Sequence, residues 1–451
     1  MAGDRRRGAV VDDDFLTDPG LGVGEHPMTT CDEAVAILDP PDGVPAVSFT
    51  HGEGPQARLS GFTITGADGL VTLGVDQQVG ARRVRHHVEA LDGTDVVREG
   101  SYIRQCDGRR IQRFRCRCCR KRFGQQTFAL TYGMRRPELL MHVVDGLRGY
   151  ASLRAIARSW NARCPERPVH PSSIARIARR IGAHAALLLE FLHDAHVPDL
   201  AEIENEVAFD HFETFVGLQE NALAIGTPVG ATSGWIYPVR AGSHRRATSR
   251  SRARPRVAPS PGDVARSTRA CFARLERKTR PGDRATLTSD DHDTYPRALD
   301  ALPHGDRFVH EVFPNPPSRR RGAPRDGAAR ERDRRMWRVD RLHMLLRHLV
   351  PDHRRESIVF ARRIEAALER VHVLVLWINL EKPCSIRRGT VETPAMVLGI
   401  ADRPVRLEEM MGRRLFVDRV GPDASTRRLV ERRMRDPRGV VGPDRARMRT
   451  P

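Results

Sequence analysis

Three segments of this chain each carry a carboxylate beside an apolar stretch. Asp210 lies within Val207–Phe215, an apolar and aromatic run that predicts a buried strand. Asp290 follows a second strand pattern, Leu287–Ser289, and Glu356 lies in a segment that we expect to be helical. Acids gathered from distant parts of a chain can hold two divalent metal ions, which activate a water molecule and stabilise a leaving oxygen. The three residues therefore predict metal-dependent cleavage of a phosphodiester.

Other acids and other roles compete for these positions. Glu213 competes with Asp210 as the first acid. Asp291 and Asp293 compete with Asp290 as the second. An acid at a strand end also commonly lies in solvent, caps a helix or joins a surface ion pair. Around the first acid, apolar and aromatic neighbours favour a buried strand, in which a carboxylate needs a partner or a metal.

The charge of the chain favours a polyanionic partner. Its 451 residues carry a net charge of +19, and cations that contact phosphates release counterions when nucleic acid binds. Only three of the 76 cationic residues are lysines, a bias typical of GC-rich coding, so charge alone is limited evidence. Residues 1–80 are acidic and have no assigned function, and the change of charge indicates a boundary near residue 80.

A cysteine-rich segment predicts a zinc-ribbon-like element over residues 81–132. Two short strands around Asp107-Gly108 favour a hairpin, because Asp-Gly suits a tight turn. A CxxC pair after the second strand has the spacing of a zinc knuckle, and a full ribbon needs a second pair of ligands upstream. The alternative is a zinc-free hairpin held by aromatic packing. The candidate zinc ligands are Cys116, Cys119, His86 and His87, with Cys106 as a further candidate.

Residues 133–200 predict a helix-turn-helix segment that binds DNA. Ser152–Trp160 predicts one short helix and Pro171–Gly182 a second, which begins near serines and ends at the glycine. The second helix has an isoleucine stripe opposite arginines, which fits helix-turn-helix geometry but also any helical hairpin in an arginine-rich chain. The residues expected to contact DNA are Arg154, Arg158, Arg176, Arg179 and Arg180.

Residues 201–400 predict the element order β-β-β-α-β-α-β-α. This is the order of a ribonuclease H-like mixed sheet, in which the first two acids lie on neighbouring strand ends and the third on a late helix. The chain as a whole is therefore expected to be α+β. The predicted strands are 206–215, 222–229, 235–240, 285–289 and 307–313, and the predicted helices are 264–278, 295–302, 336–350 and 352–371. Basic segments at 243–262 and 314–335 interrupt this core, and residues 401–451 form a basic tail.

On these residues the chain resembles bacterial insertion-sequence transposases of the DDE class. The segment Gln112–Cys116 is similar to their zinc-ribbon leader, and the pattern around Ser152 and Arg158 is similar to the start of their helix-turn-helix. The segments His353–Phe360 and Trp377–Asn379 are similar to parts of their catalytic core. The likeness covers residues 95–420.

The resemblance implies nicking at the ends of a DNA element and transfer of the freed 3′ hydroxyl into target DNA. It implies that Asp210, Asp290 and Glu356 hold two Mg²⁺ or Mn²⁺ ions. Arg363, two helical turns after the third acid, would then hold a DNA phosphate. A homo-oligomer on double-stranded DNA at the bacterial nucleoid is also implied.

Two alternatives come from other functional classes. One is a non-catalytic DNA-binding protein, including an inactive transposase remnant, and the other is a structure-specific nuclease. The sequence has no signal segment and no apolar run long enough to span a bilayer, so we expect a cytoplasmic protein without a membrane partner.

Overall fold

A computed structural model provides the structure of the chain. It describes residues 63–65, 70–72, 96–105, 108–117, 120, 122–124, 126, 129–149, 151–245, 262–316, 325–354, 360–385, 389–413, 415 and 420–434. The strands are β1 Thr63–Thr65, β2 Leu70–Thr72, β3 Val96–Ile103, β4 Arg110–Cys116, β5 Arg122–Gly124, β6 Glu206–Val216, β7 Leu218–Gly230, β8 Arg240–Arg245, β9 Ala285–Ser289 and β10 Phe308–Val312.

Helices make up most of the remaining described structure, so the chain is mixed α and β. They are α1 Leu139–Arg148, α2 Leu153–Arg163, α3 Pro171–Ala195, α4 Leu200–Ile203, α5 Asp263–Glu276, α6 Thr294–Asp300, α7 Gly327–Leu349, α8 Ile364–Leu380, α9 Pro394–Val397, α10 Leu407–Gly412 and α11 Ala424–Val430. Among the described helices, none combines the length and apolar composition that a membrane span requires.

A mixed five-stranded sheet forms the centre of the fold, in the order β10-β9-β6-β7-β8. Strand β6 pairs antiparallel with β7, which pairs antiparallel with β8. On its other side β6 pairs parallel with β9, and β9 pairs parallel with β10. This arrangement is compatible with the predicted ribonuclease H-like core.

Both faces of β6 are covered, which explains its nearly continuous apolar sequence. On one face Phe209 packs against Phe272 of α5 and Tyr295 of α6. On the other face Phe212 packs against His343 of α7 and His353. The strand is therefore central in two senses, between two neighbouring strands and between two layers of helices.

The N-terminal hairpin also forms as expected. Strands β3, β4 and β5 make a three-stranded antiparallel sheet, and Gly108 in the turn has a φ of 71°. The rings of Phe114 and Phe123 stack with their centroids 5.6 Å apart. Aromatic packing of the kind expected for this hairpin is therefore present.

The predicted end of the second DNA-binding helix at Gly182 is wrong. Helix α3 continues to Ala195, because an apolar stripe beyond the glycine packs into the core. Gly182 instead permits close contact with α8: a Cβ added there would lie 2.4 Å from Cβ of Glu369. The glycine is explained by helix packing and not by helix termination.

The predicted third strand, Trp235–Arg240, is also wrong for most of its length. Strand β8 begins at Arg240, and the buried residues before it form only one isolated bridge, between Ile236 and Val229. The side chain of Asn379 on α8 accepts from the backbone N–H of Ile236 at 2.9 Å and donates to its carbonyl at 2.8 Å. A helix side chain thus satisfies the backbone groups that a neighbouring strand would otherwise bind.

Two predicted helix boundaries differ from those of the structure. Helix α7 begins at Gly327, where the side chain of Asp326 accepts from the N–H of Ala329 at 2.7 Å, so the predicted basic interruption over 314–335 is wrong for its last nine residues. Residues 243–245 of the other interruption belong to β8. The helix predicted over 352–371 begins only at Ile364.

Buried ion pairs connect α3 to the sheet and to α11. Glu190 of α3 is 1% exposed, and it binds Arg240 of β8 at 2.6 Å and Arg274 of α5 at 2.7 Å. Arg240 also binds Asp423, the N-cap residue of α11, at 2.7 Å. Residues from four separate elements therefore share one set of charges.

Replacing Gly182 tests the packing of α3 on α8. We expect Gly182→Ala to lower the free energy of unfolding by about 1–3 kcal/mol, because the added methyl group overpacks the contact with Glu369. Urea denaturation measures the change. Gly412→Ala is the matched control, since a Cβ at that helical glycine meets nothing within 4 Å and should leave stability equal or higher by about 1 kcal/mol. Equal stability changes in the two variants would contradict the packing argument.

Candidate active site

The sheet brings Asp210 and Asp290 together. Phe209 of β6 pairs with Ser289 of β9, and the two strands run parallel, so the next residue of each lies side by side. Neighbouring strands are about 4.8 Å apart, which is close enough for two carboxylates to interact strongly. The parallel pairing therefore creates an acidic pair from residues 80 positions apart in sequence.

The environment of Asp210 disfavours its ionised form. Burial and the charges of Asp290 and Asp340 together raise the pKa of Asp210 to about 7, although the hydrogen bond from the backbone N–H of His211 lowers it. That N–H donates to Oδ1 of Asp210 at 2.6 Å. The side chain of Asp210 is 18% exposed, so it remains accessible to a ligand. Several negative charges thus face a site with little compensating positive charge.

Tyr295 and His211 form a hydrogen-bonded chain that ends at Asp210. The Tyr295 hydroxyl lies 3.4 Å from Oδ1 of Asp210 and 3.3 Å from Nδ1 of His211. Nε2 of His211 lies 2.9 Å from the Thr268 hydroxyl, which donates to the carbonyl of Val264. The histidine must then donate through Nε2 and keep Nδ1 as an acceptor, so the one hydroxyl proton of Tyr295 has two acceptors, Nδ1 of His211 and Oδ1 of Asp210. Burial lowers the pKa of His211 to about 3, so it stays neutral.

His343 presents a second neutral imidazole to the same acid. Its Nε2 lies 2.7 Å from the Thr227 hydroxyl, which donates to the carbonyl of Asp210 at 2.8 Å. Because the Thr227 hydroxyl uses its proton for that carbonyl, it must accept from Nε2 of His343, so Nε2 carries the ring proton. Nδ1 is then unprotonated, and its lone pair faces Oδ2 of Asp210 at 3.7 Å. Burial lowers the pKa of His343 to about 3. His343 therefore adds an electron-pair donor, and no positive charge, to the site.

Asp340 is a further acid at this site that the sequence analysis missed. It lies on α7 one turn before His343, its charge raises the pKa of Asp210, and it binds Arg332 on the same helix. The helix that follows the last strand of the sheet supplies it. The predicted helix 336–350 already contains Asp340, but no local pattern distinguishes this residue, and its effect on Asp210 arises only when α7 packs on the sheet.

Contacts distinguish Asp290 from the acids that compete with it. The side-chain amide of Asn315 donates to Oδ2 of Asp290 at 2.9 Å, and the N–H of His292 donates to Oδ1 at 3.3 Å. Asp291 and Asp293 are exposed, and Asp293 forms an ion pair with an arginine of α6. Asp290 is thus oriented beside Asp210, whereas its two neighbours in sequence face solvent.

Glu213 and Asp210 also have different surroundings. The side chain of Glu213 is 42% exposed and binds His244 of β8 at 2.9 Å. It therefore belongs to a surface pair at the far end of β6, and Asp210 is the half-buried acid of that strand.

The predicted third acid, Glu356, lies outside the described residues. Arg363 is the N-cap residue of α8 with φ −141° and ψ 147°, and residues 360–363 are not helical. The prediction that Glu356 and Arg363 share one face of a continuous helix is therefore wrong, because the backbone is extended where that helix would have to run.

The predicted DNA-contacting arginines differ in their surroundings. Arg154 and Arg158 on α2 and Arg176 on α3 are exposed. Arg180 donates to the carbonyl of Tyr132 at 2.7 Å, and Arg179 is half-buried near Glu369. The first three side chains are thus open to solvent, whereas the last two also contribute to the packing of α3.

The predicted metal-binding residues lie only partly within the described structure. Among the described residues, no three His, Cys, Asp or Glu side chains converge in ligating geometry. Cys116 ends β4, and the other predicted zinc ligands, His86, His87, Cys119 and the further candidate Cys106, lie outside the described residues.

Comparison with known proteins adds little to this geometry. No protein-family model and no curated protein matches the chain. Among solved structures, a chain from the cryo-EM structure of the simian T-cell lymphotropic virus intasome in complex with a PP2A regulatory subunit is similar, with a TM-score of 0.24 and 12% identity. That match covers 59% of this chain and 75% of that chain. A likeness this weak carries no argument about function.

The electrostatics of Asp210 make stability depend on pH. Because its folded pKa of about 7 exceeds its usual value, ionisation between about pH 4 and pH 7 destabilises the fold. We expect Asp210→Asn to be more stable than wild type at pH 8 by about 4 kcal/mol, and equally stable near pH 4. Urea denaturation in a chelating buffer from pH 4 to pH 8 measures this. The control Asp291→Asn replaces an exposed acid and should show the same pH dependence of unfolding free energy as wild type. If the stability difference between Asp210→Asn and wild type were the same at every pH, the raised pKa of Asp210 would be refuted.

Proposed function

We propose that this chain is a DNA transposase of the DDE class, which nicks DNA at element ends and transfers the strand into target DNA. One observation carries the proposal. Asp210 and Asp290 lie side by side at parallel strands of a mixed sheet that is compatible with a ribonuclease H-like core, and Asp210 is held where its charge is poorly compensated. A residue whose pKa is strongly shifted in this way is typical of a functional site.

The acidic pair fits divalent metal ions. Carboxylate oxygens are the ligands that Mg²⁺ and Mn²⁺ prefer, and the raised pKa of Asp210 reflects an excess of negative charge that a cation would relieve. Asp210, Asp290 and a third acid would hold the metal. When bound, two such ions supply an activated attacking oxygen and stabilise the leaving oxygen.

Asp340 is the third acid that we propose in place of Glu356. It belongs to the helix that follows the last strand, and its charge acts on Asp210. In the described structure Arg332 neutralises it, so metal binding would require Asp340 to exchange this ion pair for the cation. Glu356 remains the alternative.

The surrounding side chains orient the acids. The Tyr295 hydroxyl and the backbone N–H of His211 both face Oδ1 of Asp210, which leaves Oδ2 for a cation. His343 directs a lone pair to that same oxygen, an arrangement that suits a shared positive ligand and is unfavourable without one. The side-chain amide of Asn315 orients Asp290 by donating a hydrogen bond to its Oδ2.

DNA is the proposed partner. The exposed Arg154, Arg158 and Arg176 provide phosphate contacts on α2 and α3, and the net charge of +19 supports attraction to a polyanion. Paired element ends would be joined by a homo-oligomer of this chain.

Removing the acids tests the catalytic proposal. We expect Asp210→Asn and Asp290→Asn to lower Mg²⁺-dependent nicking of DNA by at least about 100-fold, because each change removes a metal ligand, while DNA affinity stays at the wild-type level. Supercoiled plasmid carrying the element ends is the substrate. The control is Asp291→Asn, which removes the adjacent exposed acid and should keep activity.

The same assay separates the two candidates for the third acid. Asp340→Asn should abolish nicking and Glu356→Gln should leave it within about threefold of wild type; the reverse pattern would transfer the role to Glu356. DNA binding by wild type with no cleavage under Mg²⁺ or Mn²⁺ would support the non-catalytic alternative.

The exposed arginines of α2 predict a salt-dependent effect on DNA binding. We expect Arg154→Gln with Arg158→Gln to weaken duplex binding about tenfold at low salt and to reduce the slope of log affinity against log salt by about two. Fluorescence anisotropy measures both quantities. The control replaces Arg277, an exposed arginine just after α5, by glutamine. An equal loss of DNA affinity in this control would mean that the protein's overall positive charge, and not a site on α2, attracts the DNA.

A further inference from the structure

A small pocket between α7 and α8 carries three cationic side chains. Arg338 and Arg341 of α7 and Lys382, just after α8, line it together with an apolar floor that includes Ile236 and Leu342. Asp340 and His343 lie on the opposite side of α7, because the helix turns about 100° per residue. The pocket and the acidic site thus lie on opposite faces of α7.

In the described structure the hydrogen bonds of the two pocket arginines go to backbone carbonyls, and Arg338 also lies over the ring of Trp337, 4.2 Å from its centroid. Arg338 donates to Thr232 at 2.9 Å and Arg341 donates to Cys384 at 2.9 Å. Glu204 acts on Arg338 from a distance, but its own carboxylate is bound by Ser233 and by the N–H of Thr232. Within the described part of the chain, neither arginine is within ion-pair distance of a carboxylate.

Lys382 is the least satisfied group in the pocket. It is 8% exposed, and its ammonium makes one hydrogen bond of 3.4 Å, to the carbonyl of the adjacent Pro383. The ring of Trp377 lies 5.9 Å away. An ammonium has three donors, so most of its hydrogen-bonding capacity is unused. Burial and the charge of Arg341 lower the pKa of Lys382, as is expected of a cation placed beside cations.

Stability does not explain this arrangement. A buried cation without an anionic partner costs free energy, and three cations in one pocket repel each other. Lys382 is one of only three lysines among 76 cationic residues, and its compact ammonium suits a small pocket already flanked by two guanidinium groups. An anion bound between the three would satisfy them all.

We propose that the pocket formed by Arg338, Arg341 and Lys382 binds a phosphate group. Two guanidinium groups and an ammonium are the donors that proteins use for phosphate, and the apolar floor strengthens the attraction by excluding water. The phosphate belongs either to a DNA backbone or to a small free phosphate compound. The first source rests on the proposed function, whereas the second is independent of it.

The test compares Lys382→Met with Arg334→Gln. Methionine matches the length of the lysine stem without its charge, and Arg334 is an arginine of the same helix whose side chain is 69% exposed and lies outside the pocket. Isothermal titration with inorganic phosphate and pyrophosphate, and anisotropy with duplex DNA, are both carried out in chelator so that no cleavage occurs. We expect Lys382→Met to weaken binding of at least one of these probes about tenfold and Arg334→Gln to weaken it less than twofold.

The probe that responds identifies the source of the phosphate. Loss of pyrophosphate or phosphate binding with unchanged DNA affinity assigns the pocket to a small phosphate compound. Loss of DNA affinity alone assigns it to the DNA backbone. If both variants bind every probe alike, the proposal is overturned.

A stability measurement excludes a purely structural role. In buffer free of phosphate, Lys382→Met should unfold at the same or a higher temperature than wild type, because it removes an uncompensated buried charge. A lower unfolding temperature would mean that the ammonium stabilises the fold, and this too would overturn the proposal. Arg341→Gln provides a second variant with the same expected loss of binding. Since none of these measurements requires cleavage, their outcome is independent of the metal-site variants.

Discussion

The carboxylate of Glu190, shared by two buried arginines, is the constraint on which the arrangement of elements depends. Taking these charges out of water costs several kcal/mol per ion, and only close pairing recovers it. Arg240 comes from the sheet edge, Arg274 from α5 and Asp423 from the start of α11. Displacement of any one element would leave a charge buried without its partner. The helix that carries the exposed Arg176 is thereby held to the sheet that carries the acids.

The acidic site shows the opposite balance between stability and chemistry. Asp210 is placed where burial and Asp290 both disfavour its charge, and its neighbours are neutral histidines instead of cations. A carboxylate whose role was to stabilise the fold would be paired, as Glu190 is. The strand that holds Asp210 tolerates this cost because both of its faces are packed with aromatic side chains.

Helix α7 connects the two proposed sites. Asp340 and His343 face the acidic pair, and Arg338 and Arg341 face the cationic pocket. Side chains on one rigid helix keep a constant separation, so a phosphate bound on one side would be held at a fixed position relative to the acids on the other. The two sites have complementary chemistry, one for cations and one for anions.

Local pattern in the sequence determined the strands at the centre of the fold and the first two acids. The apolar and aromatic run around Asp210 and the apolar run before Asp290 predicted β6 and β9, since burial on both faces selects a mostly apolar sequence. Helix α1 and the N-terminal hairpin follow from equally local signals, helical spacing in one case and the Asp-Gly turn in the other.

Tertiary contacts decided what local pattern could not. The local pattern predicted that Gly182 ends a helix, but the glycine permits a close contact with Glu369, which lies 187 residues later. Ile236 lies in a strand-like run, yet Asn379 satisfies its backbone. Asp340 and Lys382 have no distinguishing neighbours in sequence, and their surroundings exist only when α7 and α8 pack on the sheet. Propensity acts over a few residues, whereas burial and charge depend on which distant segments meet.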